Sequence, residues 1–181
     1  MQSAGAVTLS TSNSKMEASE FTAENADLSS ENGPVRVTGA SVSEVRIMTS
    51  NSSLKVQNVV AEKEITIQNA NGKIEVEQTS AGSLQTKTSN AGTRLSDCTV
   101  SGQLKVQNVN GSIGLEAVDA LDVSLSTTNA SVKGSLAGRR EDYRIDAKTT
   151  NASNNLETNF TGERMLTVRN ENGKIDIAFE P

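Results

Sequence analysis

The chain has 181 residues, of which 34% are apolar and 2% aromatic. So few large side chains exclude a compact globule with a bulky core, because buried area has to outweigh chain entropy. A net charge of −5, no histidine and the single Cys98 exclude a basic nucleic-acid binder, an intramolecular disulfide and a Cys/His zinc site.

Two classes survive this composition: disorder, and a repeat fold in which small side chains stack on copies of themselves. Only Pro34 and Pro181 interrupt the supply of backbone donors, which favours strand ladders. The first unit, Val7-Thr-Leu9-Ser-Thr11-Ser-Asn13-Ser14, alternates apolar and polar residues up to an asparagine and resumes at Met16 and Ala18. A period of two predicts a strand, a corner and a second strand. The unit then recurs along the whole chain. Its corner asparagines are Asn13, Asn32, Asn51, Asn71, Asn90, Asn110, Asn129, Asn151 and Asn172, spaced 19 to 22 residues apart. Each is followed by Ser, Ala or Gly.

The positions around each asparagine form nearly pure columns. Six before stand residues such as Val45, Ile65 and Leu84; three and five after stand pairs such as Leu54/Val56 and Ile74/Val76. A third pair follows eight and ten residues after the corner, as in Val59/Ala61 and Cys98/Val100. The expectation is an all-β, single-stranded parallel β-helix or solenoid of about nine rungs of 19–22 residues, one domain over 1–181. Each rung sits on the one before it, with three short sides, or two sheets as the alternative. An antiparallel meander of Asn-Gly hairpins is the rival. It does not account for corners that alternate between Asn-Gly and Asn-Ser/Ala.

The position two before each corner is polar throughout: Thr11, Ser30, Thr49, Asn69, Thr88, Asn108, Thr127, Thr149 and Asn170. At an inward phase, these side chains are expected to bond to their equivalents in adjacent rungs. The corner asparagines are expected to adopt the left-handed conformation and turn the chain. From Asn51 to Asn129, Thr before Asn-Ser/Ala (Thr49, Thr88, Thr127) alternates with Asn before Asn-Gly (Asn69, Asn108); after Asn129 the alternation breaks and the spacing lengthens. The extra residues fall in Gly138-Arg-Arg-Glu-Asp-Tyr143. Arg139, Arg140, Glu141, Asp142 and Tyr143 form either a solvated insertion or a candidate contact loop, since solenoid insertions gather on one face.

No residue cluster calls for catalysis, a cofactor or a metal. The outward column four after each corner reads Glu17, Arg36, Lys55, Glu75 and Arg94, whose mixed signs suit a salt-bridged surface. Cys98 falls in an apolar column and is expected to be a buried, inert thiol.

The unit apolar-x-apolar-x-Thr/Asn-x-Asn-Gly-x-apolar-x-apolar, ending Asn172-Gly173-Lys174-Ile175-Asp176-Ile177-Ala178-Phe179, resembles the bacterial adhesin-type β-strand-repeat family, a domain of unknown function found in LiaG-like membrane-anchored proteins. The resemblance covers nearly the whole chain and supplies no catalytic residues. It implies a non-enzymatic, extracytoplasmic surface scaffold. Such a scaffold would bind a protein or glycan of the envelope, and no nucleic acid. The start, residues 1–13, lacks the charged n-region and apolar core of a signal peptide, so membrane attachment is expected only through an upstream segment. A cytoplasmic location is the alternative compartment. Two other functions compete: a bactofilin-like element that self-associates edge to edge through bare rungs, and a carbohydrate-active β-helix enzyme.

Overall fold

The computed structural model describes residues 4–181. Sixteen strands form a parallel β-solenoid of about nine turns. The first rungs are β1 (Ala4–Thr11) with β2 (Met16–Ser19), β3 (Thr22–Ser30) with β4 (Val35–Thr38), and β5 (Ser41–Thr49) with β6 (Leu54–Gln57). Next come β7 (Val60–Asn69) with β8 (Ile74–Glu77), β9 (Ser80–Thr88) with β10 (Thr93–Ser96), and β11 (Thr99–Gln107). The long β12 (Ile113–Thr127) spans both sides of the coil, and β13 (Val132–Ala137) follows. β14 (Tyr143–Lys148), β15 (Arg164–Asn170) and β16 (Ile175–Glu180) complete the chain.

Each rung carries two strands rather than three sides. The third apolar pair and the next rung's first strand are one continuous strand, bent where the register shifts, as between Ala61 and Glu64. All ladders between named strands are parallel, and like columns lie in register: Val45 on Ile65, Ile65 on Leu84, Leu54 on Ile74. The rung spacing of about 4.8 Å makes this a rod roughly 40 Å long. Its core is narrow, and small β-branched residues fill it: Ile47, Val56, Ile65, Ile67 and Val76 are all fully buried.

The left-handed turn residues are not the corner asparagines. They lie seven positions later: Glu20, Gly39, Asn58, Gln78, Asp97 and Ala117, with φ between 48° and 67°. Each non-glycine member costs about 1–2 kcal/mol in this region. Cross-rung backbone bonds hold several of them, as Glu20 N–H donates to Thr38 O at 2.9 Å and Asp97 N–H to Glu116 O at 2.9 Å. The column has no shared residue type, so no sequence signal marks this turn.

Sequential stacking holds only as far as β13. β15 pairs with β12 on one side and β14 on the other. On the opposite sheet β16 pairs with β13, and Asn154 bridges Ile175 in parallel. The last segment of the chain therefore forms the penultimate layer, and the segment around Asn151 forms the terminal one. Arg164 fastens this insertion. Its Nη1 donates to Asp119 Oδ1 at 2.7 Å, Ala137 O at 3.0 Å and the Tyr143 hydroxyl at 3.0 Å. Tyr143 is fully buried, donates to Ala137 O at 2.6 Å and packs on Phe179 with ring centroids 5.2 Å apart.

Candidate functional site

The corner asparagines form a continuous ladder on the outside of the rod. Asn32 Nδ2 donates to Asn13 Oδ1, and the pattern repeats through Asn51, Asn71, Asn90, Asn110 and Asn129 at 2.7–2.9 Å. It continues from Asn172 to Asn129 and from Asn151 to Asn172, which again gives the spatial order of the last two rungs. An amide carries two N–H donors and two acceptor lone pairs. The ladder uses one of each in an interior member and leaves the others to solvent.

The buried polar column two before each corner does not bond like to like. It satisfies the backbone of the corners instead. Asn69 Oδ1 accepts from Gly72 N–H at 2.9 Å, while its Nδ2 donates to Ser52 O in the rung below at 2.7 Å. Asn170 does the same with Gly173 N–H and Ala130 O. Thr127 and Thr149 donate to Gly111 O and Gly173 O of the rungs beneath them, both at 3.0 Å. The Thr49 and Thr88 hydroxyls, also in this column, are buried without a partner. The physical reason is reach. The corner exposes backbone groups within range of an inward Asn or Thr, and satisfying them outranks pairing two side chains.

Between the outward residues three before and one before the corners runs a groove of about 510 Å³. Its walls are Ser10, Ser29, Met48, Gln68 and Lys87 on one side and Ser12, Glu31, Ser50, Ala70 and Ser89 on the other, over a floor that includes Thr49 and Asn69. Ser29 Oγ donates to Ser10 Oγ at 3.0 Å along one wall. The same columns form a second hollow of about 290 Å³ near the other end, with Ser126, Thr128, Lys148, Thr150, Arg169 and Glu171. There Arg169 bonds Asp146 and holds its carboxyl below the usual aspartate value. The longer groove offers hydroxyls and amides with one carboxylate, Glu31, and one ammonium, Lys87. Such a surface can form many neutral hydrogen bonds to an extended, hydroxyl-rich chain. The signal for it was present in the sequence as two outward columns rich in Ser, Thr and Gln.

The opposite sheet is salt-bridged on its outside: Lys15–Glu17 at 2.5 Å, Lys55–Glu77 at 2.8 Å and Arg94–Glu116 at 2.5 Å. The candidate contact loop is divided by the structure. Arg139, Glu141 and Asp142 are exposed and Arg140 is half-buried beside Glu157, whereas Tyr143 points into the core and cannot serve as a contact. Burial raises the Tyr143 hydroxyl pKa, against the hydrogen bond from Arg164. Cys98 is buried, and desolvation pushes its thiol up to about 11. Among the described residues, no three His, Cys, Asp or Glu side chains gather closely enough to hold a metal ion.

A family model described as Toastrack DUF4097 matches residues 2–178 of the chain. No curated protein and no solved structure matches it.

Proposed function

The chain belongs to the Toastrack DUF4097 family, and from that premise we propose that it is a non-enzymatic, extracytoplasmic binding scaffold. In this reading it is a rigid, adhesin-type rod of the LiaG-like kind. It is tethered through an upstream segment and presents its grooved face to a polysaccharide of the cell envelope. The observation that carries the reading is the groove of about 510 Å³ flanked by the asparagine ladder. Its volume falls within the usual range for ligand sites. Its lining is neutral and hydroxylic, which suits a polyol better than a nucleic acid or an apolar ligand. The compartment rests on the family resemblance of the repeat unit and is checked separately, by protease treatment of intact cells.

The experiment is retention of the purified chain on insoluble envelope polysaccharide, with affinity measured on soluble fragments of it. Ser50→Trp fills the groove and should weaken binding by about tenfold, a loss of about 1.4 kcal/mol. Thr38→Trp, on the other sheet, should leave it unchanged. Equal binding by the Ser50 variant, or no retention on any polysaccharide tried, removes the proposal.

A further inference from the structure

Four corners of the rod are Asn-Gly: Asn32-Gly33, Asn71-Gly72, Asn110-Gly111 and Asn172-Gly173. In that dipeptide no side chain on the glycine shields its nitrogen, which can attack the side-chain carbonyl carbon of the asparagine before it. Three of the four nitrogens are held by the inward residue two before the corner. Gly33 N–H donates to Ser30 Oγ at 3.0 Å, Gly72 N–H to Asn69 Oδ1 at 2.9 Å and Gly173 N–H to Asn170 Oδ1 at 3.1 Å. Gly111 N–H has no acceptor among the described residues.

The cause lies one rung below. Thr93 is buried in the column where Leu54, Ile74, Ile113 and Ile175 stand in other rungs. Its hydroxyl donates to Asn108 Oδ1 at 3.1 Å. That bond draws the amide oxygen away from its own corner, and Asn108 Nδ2 donates instead to Gly111 O at 3.2 Å and Ser112 O at 3.0 Å. The ladder does not separate the two interior Asn-Gly corners. Asn71 and Asn110 donate to the asparagine on one side at 2.8 and 2.9 Å, and each accepts from the asparagine on the other at 2.7 Å. Both asparagines are exposed and both glycines buried. An acceptor facing an N–H favours its protonated form, and of the four nitrogens Gly111 alone escapes that hold.

We propose that Asn110-Gly111 is a self-modifying corner, at which Asn110 loses its amide through a cyclic imide. The Gly111 nitrogen gives its proton to water or hydroxide and bonds to Asn110 Cγ; the Cγ–Nδ2 bond breaks and ammonia leaves. Water then opens the ring at either carbonyl, giving aspartate or isoaspartate. Either product carries a carboxylate, which accepts hydrogen bonds and donates none. The bond that Asn110 Nδ2 donates to Asn90 Oδ1 is then lost, and the ladder is cut in the middle of the rod.

Incubation of the full chain in mildly alkaline buffer, followed by peptide mapping with mass spectrometry, tests this, and circular dichroism checks that the rod stays folded. Asn110 should convert about fivefold faster than Asn71, the effect of releasing one ordinary hydrogen bond. In denaturant the two should convert at similar rates, because the fold is what distinguishes them. Thr93→Val removes the hydroxyl that holds Asn108 and should slow Asn110 to the rate of Asn71, with Asn71 itself unchanged. The wild-type comparison stands whether or not that variant folds. Asn71 matching or outpacing Asn110 in the folded rod overturns the proposal, as does a lead of the same size for Asn110 in denaturant. A folded Thr93→Val chain in which Asn110 keeps its lead overturns it too.

Discussion

The rungs from β1 to β13 and the segment from Gly138 to the C-terminus are built from the same repeat, yet they assemble differently. The first part stacks in chain order. The second places its last strands beneath its first. The corner chemistry supplies the reason. A Cβ on Gly33, Gly72 or Gly111 would stand 1.7–1.9 Å from the carbonyl oxygen of Ser14, Ser52 or Ala91 in the rung below. A glycine corner is therefore made to sit on a Ser/Ala corner. Along the chain, Asn129-Ala130 is followed by Asn151-Ala152, and the alternation fails. In space Gly173 lies on Ala130, and the Asn151 rung lies above Gly173. The alternation broken in sequence is intact in the solenoid.

The sharpest way to break this comparison is a cross-link. In register, Ser124 faces Thr167 and Thr167 faces Asp146. Neighbouring Cα atoms on adjacent strands lie within the 4.4–6.8 Å that a disulfide accepts. Ser124→Cys with Thr167→Cys should oxidise readily, and Ser124→Cys with Asp146→Cys should not; the reverse outcome restores sequential stacking. Non-reducing electrophoresis reads both.

Next in size is Gly173→Ala, whose added Cβ would meet Ala130 O at 1.9 Å. It should destabilise by about 3 kcal/mol or more by chemical denaturation, as backbone overpacking does. Gly111→Ala should match it, because the inserted and the sequential rungs share one corner geometry. Arg164→Ala acts where the inserted segment is fastened to β12 and β13. It removes the guanidinium that bridges Asp119, Ala137 and Tyr143, and should cost about 2 kcal/mol.

The ladder is the same in both regions, so its substitutions should separate by rank in the stack and not by region. Asn90→Ala loses bonds to both Asn71 and Asn110, a cost of about 1 kcal/mol in a solvent-exposed row. Asn151→Ala and Asn13→Ala each lose one and should cost about half as much. Equal losses at ends and middle would mean that the ladder adds nothing.

The smallest effect is that of pH. With no histidine, stability should change little from about pH 5 to 8. Hydrogen bonds from Lys73 and Arg169 hold Glu75 and Asp146 below their ordinary 4.5 and 3.8. The unfolded chain then takes up protons first, so this stabilisation is lost as pH falls below those values. Cys98 acts at the other limit. Burial raises its thiol from 9.0 to about 11, so the unfolded chain ionises first and stability declines above about pH 9. Thermal unfolding followed across pH checks the signs: Cys98→Ala should reduce the alkaline decline and leave the part that belongs to Tyr143, whose hydroxyl burial also raises, with the acid limb unchanged.

Much of the candidate site was legible in advance. The asparagine column reads directly off the spacing, and the charged outer column reads as salt bridges. Two elements read differently. The Thr/Asn column looked like a second ladder because its polarity and phase are visible in sequence, whereas the corner carbonyls it reaches are not. Tyr143 looked like part of a charged loop because its neighbours are Arg139 to Asp142, yet its ring fills the core beside Phe179. The groove's two walls are visible in the sequence as outward columns rich in Ser, Thr and Gln, but its depth is not, because it belongs to residues of many rungs at once and no single unit displays it.

What the amino-acid order determined is the unit: a period of two within strands, a small residue after each corner, and an apolar column that can be buried only by stacking on its own copies. What the tertiary structure decided is which copy lies on which. That choice depends on contacts of a few ångströms between corner backbones, where a glycine fits over a carbonyl and an alanine does not, and a linear pattern carries no record of which neighbour will be beneath.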